Sequence, residues 1–452
     1  MENTRELVLD MLMEILEKGS YSHLVIRDVL DKYNYKDSRE KAFIKRTAEG
    51  TLERLIQIDH ILDQFSKTPV PKMKPLIRNL LRMSVYQLLF MGNVPESAVC
   101  NEAVKLAGKR GFRGLSGYVN GVLRNIARKK DKIAAPPREQ DEIRYLSVTY
   151  SMPEWLVEMW ISAYGRETAC RVLGGLLEEH PVTVRLKGSL GGAQKTRWLA
   201  SLEKQQVRAE MHPYLPFAWR LWNTEGIKNL PGYGEGFFAV QDVSSMLAVE
   251  AAGVGDLGQE ELLGLDLCAF PGGKSMYLAE KLSGRGKVIA RDLSEYKASL
   301  MRDNIERMGY TNIEAQVHDA LLPDQGLLGR ADIVLADLPC SGLGVIGKKR
   351  DIKYRIKPEN LRELETLQRQ ILEMAGQYVK PGGILVYSTC TINPGENEKM
   401  MEWFINNHPF QKESLSPYLP EPLKKEGAQG MLQLFPGIHE TDGFFICRLK
   451  RV

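Results

Sequence analysis

The stretch LLGLDLCAFPGGKS, residues 262–275, decides the fold of the second half of this chain. An apolar, strand-like run ends in a Pro-Gly-Gly turn at Pro271, and a helical pattern begins directly after it. A strand, a glycine turn and a helix N-terminus in this order form the crevice in which open α/β sheets bind ligands. The stretch therefore predicts the cofactor end of a Rossmann-like α/β domain.

Two common phosphate-binding motifs do not fit this turn. A P-loop requires a glycine five residues before Gly273, where Cys268 stands, and the G-x-G-x-x-G spacing of dinucleotide sites is missing. The turn therefore favours a nucleoside ligand that carries no phosphates.

Short β-rich runs alternate with helical runs from about residue 227 onward, which is typical of a parallel sheet covered by helices on both faces. The predicted strands are 262–269, 287–292, 313–318, 333–337, 383–388 and 444–449, and the predicted helices are 274–282, 294–308, 358–379 and 395–406.

Carboxylates stand at the predicted ends of three successive strands, as Asp292, Asp319 and Asp337. A carboxylate at the tip of the second strand of such a sheet accepts hydrogen bonds from the hydroxyls of a ribose. Three of them around one crevice repel phosphates and suit a positively charged sulfonium. We therefore predict S-adenosylmethionine as the cofactor.

Two cysteines follow the later strands, Cys340 in Asp337-Leu-Pro-Cys-Ser-Gly and Cys390 in Tyr387-Ser-Thr-Cys-Thr. Methylation at carbon 5 of cytosine requires a nucleophile to add first to carbon 6, and a thiolate suits that step. Asp337 is placed to hold the ring nitrogen, and a base must then remove the carbon-5 proton. Spacing alone does not rank the two cysteines.

Positive charge is concentrated at the front of the chain, where residues 1–130 carry 23 Lys and Arg against 15 Asp and Glu. We call its densest part the basic cluster: Lys105, Lys109, Arg110, Arg113, Arg124, Arg128, Lys129 and Lys130. It is either a phosphate-binding face or a solvated helical surface. A second run, residues 348–357, is called the basic segment. It is interpreted as a clamp on an RNA backbone, and the alternative is a solvated loop that leads into the helix at Pro358.

Helical spacing and proline positions divide the chain. We predict a helical domain over 1–132, a linker over 133–141, a small α+β subdomain over 142–226 and a catalytic domain over 227–452. The sequence has no membrane-spanning run, no export signal and six scattered cysteines, so we expect a cytoplasmic protein. Seven dispersed histidines without a zinc motif predict no metal site.

The catalytic half resembles the RNA cytosine-C5 methyltransferase family. That family's CAxPGGK, DxPCSG and TC motifs stand here at Cys268–Lys274, Asp337–Gly342 and Thr389-Cys390, with Phe270 and Leu338 where alanine is usual. The resemblance implies that Cys390 is the nucleophile, that Cys340 aids product release, and that Lys274 lies near the base. It assigns cofactor contacts to Cys268, Ala269, Phe270, Pro271, Gly272, Gly273, Lys274, Asp292, Asp319 and Asp337.

The front half resembles the NusB-type RNA-binding bundle through residues 94–104 and 118–125. This pairing is similar to bacterial 16S rRNA methyltransferases that act on cytosine 967. It implies a multidomain fold: an all-α NusB-like bundle, a small α+β subdomain and an α/β Rossmann-like class I methyltransferase domain. We expect a monomer that binds RNA and does not associate with a membrane. Transfer RNA as substrate, and a non-catalytic RNA-binding assembly factor, remain the alternatives.

Overall fold

The computed structural model of the chain describes residues 3–33, 37–224, 226–258 and 261–452. The chain divides into two compact units. The helical unit contains residues 1–178 and 346–355, and the sheet unit contains residues 179–345 and 356–452.

Three helices of the helical unit begin at a capping side chain. Asn3, Asp37 and Asp141 each accept a hydrogen bond from a backbone N–H in the first turn of the following helix. The helices are α1 Thr4–Leu16, α2 Ser22–Lys32, α3 Ser38–Glu53, α4 Leu55–Phe65, α5 Pro75–Phe90, α6 Glu96–Lys109, α7 Ser116–Arg128, α8 Glu142–Tyr150, α9 Glu154–Tyr164 and α10 Arg166–Gly175.

The structure divides the region 142–226 differently from the sequence prediction. Helices α8 to α10 belong to the helical unit, where α8 packs against α4 and the Ser151 hydroxyl accepts a hydrogen bond from the Ile56 backbone N–H at 3.0 Å. The following strands belong to the sheet unit. The predicted α+β subdomain therefore does not form one body, because α8 packs against α4 while α9 and α10 pack against α8 and against each other.

A small antiparallel sheet opens the sheet unit. Its strands are β1 Val182–Leu186, β2 Arg208–Met211, β3 Ala218–Trp222 and β4 Phe238–Val240, in the order β2-β3-β1-β4. The fourth strand lies beyond residue 226, so the sheet needs residues that the sequence prediction assigned to the catalytic domain.

The larger sheet has the order β10-β12-β9-β8-β5-β6-β7, with β11 paired to β12. Its strands are β5 Leu262–Asp266, β6 Gly286–Asp292, β7 Ile313–Val317, β8 Ala331–Asp337, β9 Val379–Thr389, β10 Phe410–Lys412, β11 Met431–Leu434 and β12 Phe444–Arg451. The six predicted strands are confirmed within a few residues. Strands β5 to β9 are parallel, but β10, β11 and β12 are antiparallel, so the sheet is mixed.

The remaining helices are α11 Gly192–Lys204, α12 Val243–Glu250, α13 Gly273–Lys281, α14 Glu295–Met308, α15 Ile352–Arg355, α16 Pro358–Tyr378, α17 Glu398–Asn407 and α18 Glu421–Lys424. Of these, only α15 belongs to the helical unit. Among the described residues, none of the helices combines the length and apolar character that a membrane span needs. Because β5 to β9 run in parallel, their carboxyl ends share one edge of the sheet, which we call the rim.

Candidate active site

The glycine turn after β5 is held tightly in the rim. The Ala269 backbone N–H donates to the Arg291 carbonyl at 2.8 Å, and Gly272 has a φ of 97°, a left-handed conformation that favours glycine. Behind the turn, the Ser275 hydroxyl donates to the Asp266 carboxyl at 2.6 Å. Burial raises the pKa of Asp266 to about 7. The turn therefore leads into α13 over a buried, hydrogen-bonded acid.

The three predicted carboxylates follow three neighbouring parallel strands. Asp292 ends β6 and pairs with Lys297 at 3.1 Å, Asp319 lies two residues beyond β7, and Asp337 ends β8. The Asp319 carboxylate also accepts the Leu321 backbone N–H at 3.0 Å, so it stabilises a turn as well. Beside the buried Asp292, the Leu293 side chain is 67% exposed. An acid and an apolar surface thus adjoin at the rim.

An ion pair fixes the orientation of Asp337. One carboxylate oxygen accepts from Lys274 Nζ at 2.6 Å, and the other accepts from the Ser388 hydroxyl at 2.7 Å. Burial alone would lower the pKa of the Lys274 ammonium, but the charge and hydrogen bond of Asp337 outweigh it and the pKa is raised. Lys274 therefore keeps its positive charge, next to Asp337 and in electrostatic contact with Cys390.

The two predicted cysteines meet, with 3.3 Å between Cys340 Sγ and Cys390 Sγ. The hydrogen bond with Cys390, followed by burial, raises the pKa of the Cys340 thiol well above its usual range. Cys340 therefore retains its proton, and either sulfur can be the donor in this contact. A nearby cation, Lys274, favours negative charge on that sulfur.

Two loops carry the cysteines and are joined by backbone contacts. The Gly344 N–H donates to the Cys390 carbonyl at 3.1 Å, and the Gly443 N–H donates to the Gly344 carbonyl at 3.0 Å. A Cβ at Gly344 would stand 1.9 Å from the Gly443 carbonyl oxygen, so only glycine fits there. Gly443 is restricted in the same way, because a Cβ there would stand 2.6 Å from Gly344 Cα.

Other residues of the resemblance lie around this centre. Cys268 is in the glycine turn, and burial followed by the charge of Asp266 raises the pKa of its thiol, which makes it a poor nucleophile. Phe270 is 37% exposed under the ammonium of Lys297, whereas Leu338 is buried in the core of the larger sheet. The first departure from the family pattern is thus at the crevice surface and the second is in the core.

Sequence reasoning missed a buried carboxylate next to the cysteine loops. Glu396 has no exposed surface and accepts hydrogen bonds from Ser341, the residue after Cys340. The stretch Asn393-Pro-Gly-Glu-Asn-Glu soon after Cys390 was the available signal. The sequence pattern predicts only that a helix begins here, at residue 395.

The interpretation of the basic segment as an RNA clamp is wrong for its central cations. Lys353 is 2% exposed and donates to the carbonyls of Glu53 and Ser151 at 2.9 and 2.6 Å. Arg350 pairs with Glu49 and Glu53 of α3. Arg355 pairs with Asp351 at 2.7 Å, and Asp351 accepts the Ser22 backbone N–H. These groups hold residues 346–355 inside the helical unit.

The basic cluster is partly neutralised. Lys105 pairs with Glu102, Lys109 with Glu6, Arg110 with Glu6 and Asp10, and Lys130 with Glu96. The Lys130–Glu96 pair is exposed on both sides, and such pairs contribute little to stability. Glu6, the partner of Lys109 and Arg110, is buried. Among the described residues, no group of three or more His, Cys, Asp and Glu side chains is arranged to hold a metal ion.

The chain is similar in sequence to proteins of two known families. The sequence profile of the family described as 16S rRNA methyltransferase RsmB/F matches residues 256–450, and that of the NusB family matches residues 2–128. A probable ribosomal RNA small subunit methyltransferase B of Bacillus subtilis is 34% identical over 99% of both chains. The ribosomal RNA small subunit methyltransferase B of Klebsiella pneumoniae is 30% identical over 99% of this chain and 98% of its own. The crystal structure of a protein named PH0851 has a similar fold, with a TM-score of 0.79, 24% identity, and coverage of 100% of this chain and 99% of its own.

Proposed function

This chain belongs to the ribosomal RNA small subunit methyltransferase B family, and from that premise we propose that it methylates carbon 5 of one cytosine in 16S rRNA, the position numbered 967, through a covalent bond between Cys390 and carbon 6. The enzyme class is an S-adenosylmethionine-dependent RNA methyltransferase. The observation that carries the proposal is the contact of two thiols, 3.3 Å apart, at the rim where the Lys274–Asp337 pair also lies. The enzyme acts as a monomer in the cytoplasm.

S-adenosylmethionine supplies an electrophilic methyl group, and the side chains of the rim fit its parts. The Asp292 carboxylate suits the ribose hydroxyls, and the exposed Leu293 beside it offers an apolar surface for the purine. Asp319 and Asp337 add negative charge that suits a sulfonium. The turn from Cys268 to Lys274 would complete the set of residues that hold the cofactor.

Cys390 Sγ adds to carbon 6 of the cytosine and makes carbon 5 nucleophilic. The ring nitrogen takes up a proton as the charge develops, and the Lys274–Asp337 pair supplies it: the Asp337 carboxyl group gives its proton to the ring nitrogen, and the Lys274 ammonium beside it is the source of that proton. The positive charge of Lys274 also favours the thiolate of Cys390. The carbon-5 centre then accepts the methyl group.

Release requires a base for the carbon-5 proton, and Cys340, or a water that it holds, takes this role. The first cause of the raised pKa of Cys340 is its hydrogen bond with Cys390. That partner becomes a thioether when Cys390 is bonded to carbon 6, but burial and the charge of Glu396 still raise the pKa of Cys340. The Cys340 thiol therefore stays protonated and acts through a water that takes up the carbon-5 proton. Loss of the carbon-5 proton then returns the electron pair that expels Cys390 Sγ.

Incubation of the purified protein with tritiated S-adenosylmethionine and either unmodified 16S rRNA or transfer RNA tests the proposal. We expect label at one 16S cytosine, mapped as 5-methylcytosine by sequencing. Label only in transfer RNA would keep the mechanism and overturn the substrate. No label on naked RNA or on small-subunit particles would favour a non-catalytic assembly factor.

A further inference from the structure

A buried polar network lies directly behind the two thiols, and Glu396 is at its centre. The Glu396 side chain is completely buried in the segment between β9 and α17. One of its oxygens accepts from the Ser341 hydroxyl and from Asn393 Nδ2, the latter at 2.9 Å. The other accepts from the Ser341 backbone N–H and from Gln368 Nε2, both at 2.9 Å.

These hydrogen bonds restrain the chain on both sides of Cys340. After it, the Ser341 N–H and hydroxyl both donate to Glu396. Before it, the Pro339 carbonyl accepts from the same Gln368 amide that donates to Glu396, again at 2.9 Å. The position of Cys340 is therefore set by one carboxylate and one amide.

The same network reaches the loop of Cys390. The hydroxyls of Ser341 and Thr391, the residue after Cys390, are 2.6 Å apart. Asn393, three residues after Cys390, donates its amide to Glu396. Both cysteine loops thus share Glu396 as a common partner, and the thiol contact of 3.3 Å depends on how the loops are held.

We propose that Glu396 is the positioning residue that holds Cys340 and Cys390 in contact; this inference rests on the proposed function of the site. A carboxylate suits the place because all four partners donate hydrogen bonds and an ionised carboxyl group only accepts them. A glutamine of the same shape would direct an NH2 group at a donor. Glu396→Gln therefore breaks part of the network with little change in packing.

The experiment compares Glu396→Gln with a matched control, Glu398→Gln, in the full-length protein. Glu398 lies two residues further on, in the first turn of α17, beside Lys399 and Glu402. For each protein we would measure kcat and KM for RNA methylation, the Kd for S-adenosylmethionine, thermal unfolding, and the pH profile of Cys390 alkylation by iodoacetamide, read by peptide mass spectrometry.

For Glu396→Gln we expect kcat to fall roughly 100-fold, as for a displacement of about 1 Å in a reacting group, with KM and the cofactor Kd unchanged. The alkylation profile of Cys390 should shift, since its contact with Cys340 changes. Glu398→Gln should match the wild type in kcat and in the alkylation profile of Cys390. Wild-type kcat and an unshifted profile in Glu396→Gln would overturn the proposal.

A second variant covers the case in which Glu396→Gln does not fold. Ser341→Ala removes only the hydroxyl bonds to Glu396 and Thr391 and should lower kcat about 10-fold, in line with the loss of one hydrogen bond to a charged group. Wild-type kcat in this variant would then contradict the proposal. If the wild type does not methylate RNA, the proposed function fails, whereas the alkylation profiles still test the positioning of the thiols.

Discussion

The sequence predicts that two neighbouring segments, residues 337–344 and the basic segment 348–357, both contact RNA. The structure places their side chains in different surroundings. The first brings Asp337 and Cys340 to the rim, where Lys274 and Cys390 meet them. In the second, Lys353 and Arg350 bind groups of the helical unit instead. The role of a residue at a strand end follows from topology, whereas the role of a lysine depends on which acceptors it meets.

Cys390→Ala tests the site that the first segment forms with Cys390, and it has the largest expected effect. Without the thiol, no bond to carbon 6 forms, and we expect methylation to fall by roughly 10⁴-fold or more, as for loss of other enzymatic nucleophiles. Cofactor binding, measured by calorimetry, should be retained. Normal turnover would make the nucleophile assignment wrong.

Cys340→Ala should leave the addition step and impair release. We expect a covalent protein–RNA adduct to accumulate, visible as a slow band in a denaturing gel, with turnover reduced about 100-fold, the range of a lost general base. The double variant Cys340→Ala/Cys390→Ala is the control, because it has no sulfur to form the bond. An adduct in that control would contradict the assignment of both cysteines.

Burial shifts pKa values in both units, and in opposite directions. It raises the pKa of Asp266 to about 7 and lowers that of Lys353 to about 7. Folded Asp266 keeps its proton up to about pH 7, whereas the unfolded chain loses it near pH 4, so its contribution to stability is lost as pH rises between those values. Folded Lys353 loses its proton near pH 7, whereas the unfolded chain keeps it to about pH 10. The stability of the fold therefore rises as the pH rises between those values.

Asp266→Asn should therefore flatten the pH dependence of unfolding between pH 4 and 7 by an amount on the order of 3 kcal/mol. Urea titrations at pH 4.5, 5.5 and 7 measure it. Asp303→Asn, at an exposed position of α14, is the control and should keep the wild-type slope. An identical slope in Asp266→Asn would exclude Asp266 as the titrating group.

Lys353→Ala tests the second segment. It leaves the carbonyls of Glu53 and Ser151 without their donor, and we expect a loss of about 2 kcal/mol in the unfolding of the helical unit. Lys349→Ala, at an exposed position four residues earlier, should change stability by less than about 0.5 kcal/mol. If Lys353→Ala weakened RNA binding without a change in stability, the clamp interpretation would be restored.

The sequence determined the order of elements in the sheet unit, because periodicity and the glycine turn specify strands and helices locally. It also predicted that Asp292, Asp319, Asp337, Cys340 and Cys390 follow strands, and parallel strands bring such residues to one rim. Three features depended on the tertiary structure: the antiparallel β10 to β12, the assignment of α8 to α10 to the helical unit, and the burial of Lys353. Each depends on a partner distant in sequence, as Glu396 does on Ser341, and local patterns do not specify which apolar face or buried donor a residue will meet.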